Sequence, residues 1–416
     1  MLPKIISTFL TLIISIQIGQ AQLSDLLIAP PYYIKTVKLD NGKQPKSSPI
    51  IKLGHRLYFS FDDLQADEKE YSYQIKRYDE YWQPSILNES EFIDGFASDV
   101  ITDITQSTGT LQSYTHYSLT LPNDNTRILL SGNYMLEVLD EDGETVFNKP
   151  FILYEETINV GLQVKWPNDV RIKDEMQMID LVLYKSGYTI QNESDNLLIK
   201  VFQNNNLNQS LQFRQPTFYQ GDRWLYHEPQ KALFDGINEF RRFECKDLRG
   251  FNYGIAHKEL SDQLYDFYVY TATPRNHYLY YKDIDGCYIL AANQAFDDVN
   301  TEADYVQVHF TYKGDLPDHQ KLYVTGRFND FNPTEQAAFK YNEDTGVYEN
   351  VQLLKQAYYD YILVTKDVQG HINPTTIEGN FSQTENDYTA VVYYKAPGAR
   401  YTKVIGYATA SSDQMK

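Results

Sequence analysis

Eight histidines and two cysteines are the side chains here best suited to nucleophilic, acid–base or metal chemistry. Their spacing supports none of it. His55, His116, His227, His257, His277, His309, His319 and His371 stand singly. There is no H-E-x-x-H pair, no G-x-S-x-G elbow, no phosphate-binding loop and no dinucleotide glycine pattern. Isolated imidazoles read as ordinary surface or strand residues, and nothing points to a serine-histidine-aspartate site assembled from distant residues. The chain therefore reads as non-enzymatic, with no catalytic residue, cofactor or metal site.

Two acidic turns imitate calcium loops: Asp140 and Asp142 before Gly143, and Asp283 and Asp285 before Gly286. A calcium loop of the helix–loop–helix kind needs a glutamate at its twelfth position. Phe151 and Gln294 stand there instead, so both read as hairpin turns. Cys245 and Cys287 are the only cysteines. In an oxidising compartment they form a disulfide if their Cα atoms come within about 7 Å; two buried free thiols are the other reading. The turn from Gly326 to Phe331 (GRFNDF) resembles that of early-set sandwich modules attached to starch and glycogen enzymes. It supports a sandwich more than sugar binding, because Trp82, Trp166 and Trp224 all lie upstream.

The elements that position these residues are strands. The chain has 416 residues, 36 tyrosines and 21 phenylalanines, a composition that favours β-structure. Short alternating runs are punctuated by turn residues, and no long helix-period stretch interrupts them. The expected fold is all-β: two or three tandem immunoglobulin-like or early-set β-sandwich modules after a cleaved signal peptide. The expected boundaries are 1–21 for the signal peptide, 22–157, 158–300 and 301–405 for the modules, and 406–416 for a disordered tail. The signal rests on Lys4, the apolar run Ile5–Ile18 and small residues at Gly19 and Ala21. No later segment is apolar enough to cross a bilayer. A net charge of −19 argues against nucleic acid and anionic membrane surfaces as partners.

Two places read as candidate partner contacts. One is the polar loop of IEGNFSQTENDYTAVVYY (Ile377–Tyr394), with Glu378, Glu385 and Asp387. The other is the aromatic run Tyr265–Tyr270, where Tyr268 and Tyr270 alternate with core-facing residues.

Longer stretches carry a family resemblance. FSFDDL at Phe59–Leu64, WQPSIL at Trp82–Leu87, EFIDGF at Glu91–Phe96, YTHYSLTLPN at Tyr114–Asn123 and SGNYML at Ser131–Leu136 belong to the first module. NEFRRF at Asn238–Phe243, ADYVQVHFTY at Ala303–Tyr312, LLKQAYYDY at Leu353–Tyr361 and the Ile377–Tyr394 stretch follow. Together they resemble the type IX secretion system plug proteins of Bacteroidetes, formerly a domain of unknown function. The resemblance implies a periplasmic β-sandwich protein without catalytic residues. It implies a subunit that binds the periplasmic mouth of the giant outer-membrane β-barrel translocon and seals its pore when no cargo is present. The chain is then associated with the outer membrane through the translocon and not itself embedded. At Arg77–Trp82 the chain departs from the family, which has a His-Cys pair ahead of the Trp. No role for that pair is carried over. The alternative is a secreted glycan-binding β-sandwich protein, resting on the Gly326–Phe331 turn alone.

Overall fold

The structure is a computed structural model that describes residues 23–42, 46–185, 187–228, 230–261 and 263–415. The expected signal peptide and its cleavage point before Gln22 lie outside the described residues. The chain is all-β, and its strands form three two-layered sandwiches.

In the first, a four-stranded sheet (Ile34–Asp40, Leu57–Asp63, Thr115–Leu121, Asp103–Gln106) faces a five-stranded one (Ile50–Lys52, Thr145–Tyr154, Gly132–Leu139, Ser72–Tyr78, Ser98–Val100). The strand Thr115–Leu121 alternates strictly, burying Thr115, Tyr117, Leu119 and Leu121, because successive side chains point to opposite faces. Phe61 stacks on Tyr117 with ring centroids 4.9 Å apart, and Tyr134 on Phe151 at 5.4 Å. Such pairs add roughly 0.5–1.5 kcal/mol each beyond the area they bury. The acidic turn at Asp140 is a hairpin tip whose carboxylate accepts from the backbone N–H groups of Asp142 and Glu144.

The other two sandwiches do not follow one another along the chain. Strand Leu197–Gln203 pairs with Asp387–Tyr394, which in turn pairs with Lys403–Ser411. These strands close the second sandwich against the sheet containing Asn159–Lys165, Met176–Tyr184 and Arg223–Tyr226. Between the two halves, residues 237–383 fold as the third sandwich. There the strand Ala357–Lys366 is flanked by Arg241–Glu244 and Tyr288–Leu290, and the facing sheet runs from Ile255–Ser261 through Tyr305–Tyr312 to Lys340–Asn342.

The third sandwich is thus inserted within the second, and the expected tandem boundaries at 300 and 405 are corrected. The reason is visible at Asp387–Tyr394. Seven of its eight residues are buried, so it needs a strand on each side and a layer on each face. Its partners come from opposite ends of the second sandwich. The expected disordered tail is corrected too: Lys403–Ser411 is a strand, with Val404 and Ile405 buried.

The insertion point is stitched at both crossings. Asn380 donates to the Asp235 carboxylate at 2.8 Å, Phe381 N–H to the Ile237 carbonyl at 2.8 Å, and Asn386 to the Gly236 carbonyl at 2.8 Å. Gly236 is required by this approach: a Cβ there would lie 2.1 Å from the Phe381 carbonyl oxygen.

Candidate partner-contact surface

The residues expected to form a contact loop are absorbed into the architecture. Glu378 is fully buried. Its carboxylate accepts from Arg241 Nε at 3.0 Å, Arg275 Nε at 2.7 Å and Leu363 N–H at 2.9 Å. Burial alone would raise its pKa; the two guanidiniums overcome that and hold it below the usual glutamate range. The expectation of a partner contact at Glu378 is therefore corrected. A two-arginine cage needs the carboxylate inside the protein, where the attraction is strong and both charges are satisfied.

Asp387 and Glu385 lie at the meeting point of all three sandwiches. Lys46, from the first, sits 2.9 Å from Asp387 and 3.9 Å from Glu385 of the returning segment, and it is also ion-paired with Asp285 of the third. Desolvation works against the charged lysine, but Asp285 and Asp387 outweigh it and raise its pKa. The Asp283–Asp285 turn is consequently buried, not an exposed hairpin tip: Asp283 accepts from Phe240 N–H at 2.6 Å and from Asp285 N–H at 3.0 Å. Burial and the neighbouring carboxylates raise both aspartates. Among the described residues no group of three or more His, Cys, Asp or Glu is placed to hold a metal ion.

Further locks join the bodies. Asp62 of the first sandwich and Lys355 of the third are each wholly buried and 2.7 Å apart. Asp62 also accepts from Tyr305 Oη at 2.5 Å and pairs with His116 at 2.6 Å. Burial would raise the Asp62 pKa, and Lys355 and His116 bring it down instead. Arg77, buried, donates to the carbonyls of Ser131 at 2.9 Å and Thr402 at 2.7 Å, tying the first sandwich to the second. Beside it Tyr78, Trp82, Met135, Ile152, Leu198 and Tyr393 form a core between them.

The cysteines are free and buried. They flank the strand Ala357–Lys366 from opposite sides: Cys245 N–H donates to the Ala357 carbonyl, and Asp360 N–H donates to the Cys287 carbonyl. Two inter-strand steps of about 4.8 Å separate the flanking chains by roughly 10 Å, beyond disulfide reach. The disulfide expectation is corrected on that geometry. Burial pushes the Cys245 thiol up to about 12.

The glycan alternative loses its motivating feature. In the turn at Gly326 the Asn329 side chain bonds back to Gly326 N–H and the Val324 carbonyl, and Phe331 is buried against Phe240. Its aromatics belong to the core.

Of the expected contact residues, only Tyr270 is freely exposed, at 64%. Tyr268 is half-buried, stacked on His309 at 4.3 Å and donating to Glu259. Tyr270 lines a groove of about 460 Å³ in the third sandwich. Its rim carries exposed Phe251, Tyr253 and Leu279, and Arg241, Arg242 and Arg275 also line it. Arg241 and Arg242 went unread in the sequence, although a paired arginine opening a strand in so acidic a chain was the available signal.

Residues 34–155 match the family described as Type 9 secretion system plug protein 1st domain. The first sandwich is therefore similar to the first domain of type IX secretion system plug proteins. That family is a secretion-system component, so the match associates the chain with secretion machinery. Among the described residues no helix is long and apolar enough to cross a membrane. A hypothetical protein from Parabacteroides merdae ATCC 43184 has a similar crystal structure, with a TM-score of 0.88 and 28% identity, covering 92% of this chain and 98% of that one. The similarity therefore extends over all three sandwiches. An alpha-2-macroglobulin mutant from Salmonella is also matched, at 10% identity over 92% of this chain and 27% of that one, but its TM-score of 0.19 carries no argument. No curated protein matches.

Proposed function

We propose that this protein is a non-catalytic periplasmic subunit that binds the periplasmic mouth of the giant outer-membrane β-barrel translocon of the type IX secretion system. It seals the pore there when no cargo is present. The observation that carries the reading is the plug-family first domain at residues 34–155. The architecture supports it: a pore seal must resist deformation, and here buried ion pairs, a shared apolar core and a nested sheet join the three sandwiches. A seal that yields to cargo needs moderate affinity, which suits an aromatic and polar patch better than a wholly apolar face.

The test is affinity capture of the tagged, full-length chain from detergent-solubilised envelopes, paired with a deletion strain. The expected result is co-recovery of a giant outer-membrane β-barrel and an outer membrane leaky to large solutes after deletion. A deletion strain with an intact barrier, together with no barrel in the capture, would overturn the proposal.

A further inference from the structure

We infer that the groove of the third sandwich is a docking site for a peptide segment carrying an aspartate or glutamate carboxylate beside an aromatic or aliphatic side chain. The identity of the partner that bears this segment rests on the plug reading; the chemistry of the groove does not.

The charge distribution makes the case. The whole chain carries −19, yet among the described residues the groove lining contains three arginines and a histidine, His277, and no aspartate or glutamate. The counter-charges lie beneath it. Glu378 serves both Arg241 and Arg275, and Asp360, fully buried, accepts from Arg242 Nε at 3.0 Å. Three guanidiniums thus share two carboxylates. One positive charge is left over, at the only kind of side chain built for bidentate carboxylate recognition.

The guanidiniums are also held in place. Arg241 donates to the Thr273 carbonyl at 2.8 Å, and Arg275 donates to Tyr281 Oη at 3.0 Å, which itself donates to the Phe240 carbonyl at 2.8 Å. An incoming carboxylate therefore meets donors whose conformational entropy is already spent.

The rim supplies the apolar half. Phe251 is 84% exposed, Tyr270 64% and Leu279 73%. Aromatic residues and arginine together are the composition of interface hot spots. The groove also lies where two sheet edges meet. Arg241–Glu244 and Ile255–Ser261 are each the outermost strand of their sheet, and Glu244 N–H donates to the Tyr253 carbonyl between them at 2.9 Å.

The test uses two end-capped heptapeptides, Gly-Ser-Phe-Glu-Tyr-Ser-Gly and its Glu-to-Gln counterpart, titrated into the full chain by calorimetry. The acidic peptide is expected to bind, the amide peptide at least fivefold more weakly, and binding is expected to fall as salt rises. Phe251→Ala and Tyr270→Ala change exposed side chains, so these variants keep the fold, and each is expected to lose most of the affinity. Equal binding of both peptides, no binding at millimolar peptide, or binding indifferent to both variants would overturn the inference. Envelope capture separates this from the plug reading. If the doubly substituted chain still recovers the barrel at the wild-type level, the plug reading stands and the barrel is not the bearer of the segment, while the peptide titration decides the groove. If the wild-type chain recovers no barrel, the plug reading fails, and the peptide titration alone decides the groove.

Discussion

The junction around Asp62 and the groove around Tyr270 are both built from aromatics and paired charges, and they do opposite things. At the junction the paired charges are enclosed in the protein: Lys355 and Asp62 are wholly buried, with Tyr305 and His116 completing the carboxylate's contacts. In the groove the carboxylates are buried and the guanidiniums line the opening, with their aromatic neighbours exposed. Charges matched inside hold the sandwiches to one another. Charges left over at a surface are available to another molecule.

The largest break in this comparison should come at the junction. Lys355→Met strands a buried carboxylate and is expected to cost about 3–5 kcal/mol, as removal of one partner of a buried pair does. The Asp62→Asn, Lys355→Met double variant should recover much of that loss. Chemical denaturation of the three chains decides it; a single variant as stable as wild type would mean that the pair does not lock the sandwiches.

The groove floor comes next. Glu378→Gln removes the shared counter-ion of two arginines and should destabilise by about 3 kcal/mol. Its folded pKa lies below the usual glutamate value of 4.5. The stabilisation is therefore complete above that value and is lost as pH falls through the lower folded value. The variant should accordingly show a flatter acid limb in a stability–pH profile. An unchanged limb would assign the acid sensitivity elsewhere.

Gly236→Ala forces a Cβ against the Phe381 carbonyl at the insertion point and should cost about 1–3 kcal/mol, read as a lower melting temperature. Smaller still is the thiol prediction. The native chain should resist maleimide at neutral pH, and the chain unfolded without reductant should label at both Cys245 and Cys287. At the far end, Tyr270→Ala should leave stability within about 0.5 kcal/mol of wild type, so that any loss of partner binding reports on the groove itself.

Much of the fold was legible from period-two alternation and turn residues, as Thr115–Leu121 and the Asp140 hairpin illustrate. The pairing of Asp387–Tyr394 with Leu197–Gln203 was not, because strand partners so distant in sequence leave no local trace. The same blindness misplaced Glu378. A glutamate in a polar, glycine-containing stretch looks like a loop residue until its two arginines, from Arg241–Glu244 and from Arg275, are seen to converge on it. Tyr270 was readable only as an aromatic beside a strand; alternation does not set its exposure, because Asp266 on the same face of Leu264–Val269 is buried. The arginines beside it were not, since their role depends on which carboxylates lie beneath them.

The nesting of one sandwich inside another also sets an order of assembly. As the chain emerges from its N-terminus, the first sandwich has all its strands by Tyr154, and the third can close once residue 383 has appeared. The second cannot close until Asp387–Ser411 arrives to cover the waiting edge of Leu197–Gln203. An unpaired edge is an aggregation hazard, and pairing over long sequence separation is slow. Chains interrupted before Asp387 therefore present an open sheet to whatever guards the compartment against misfolding, and only a chain synthesised through its last strand escapes notice.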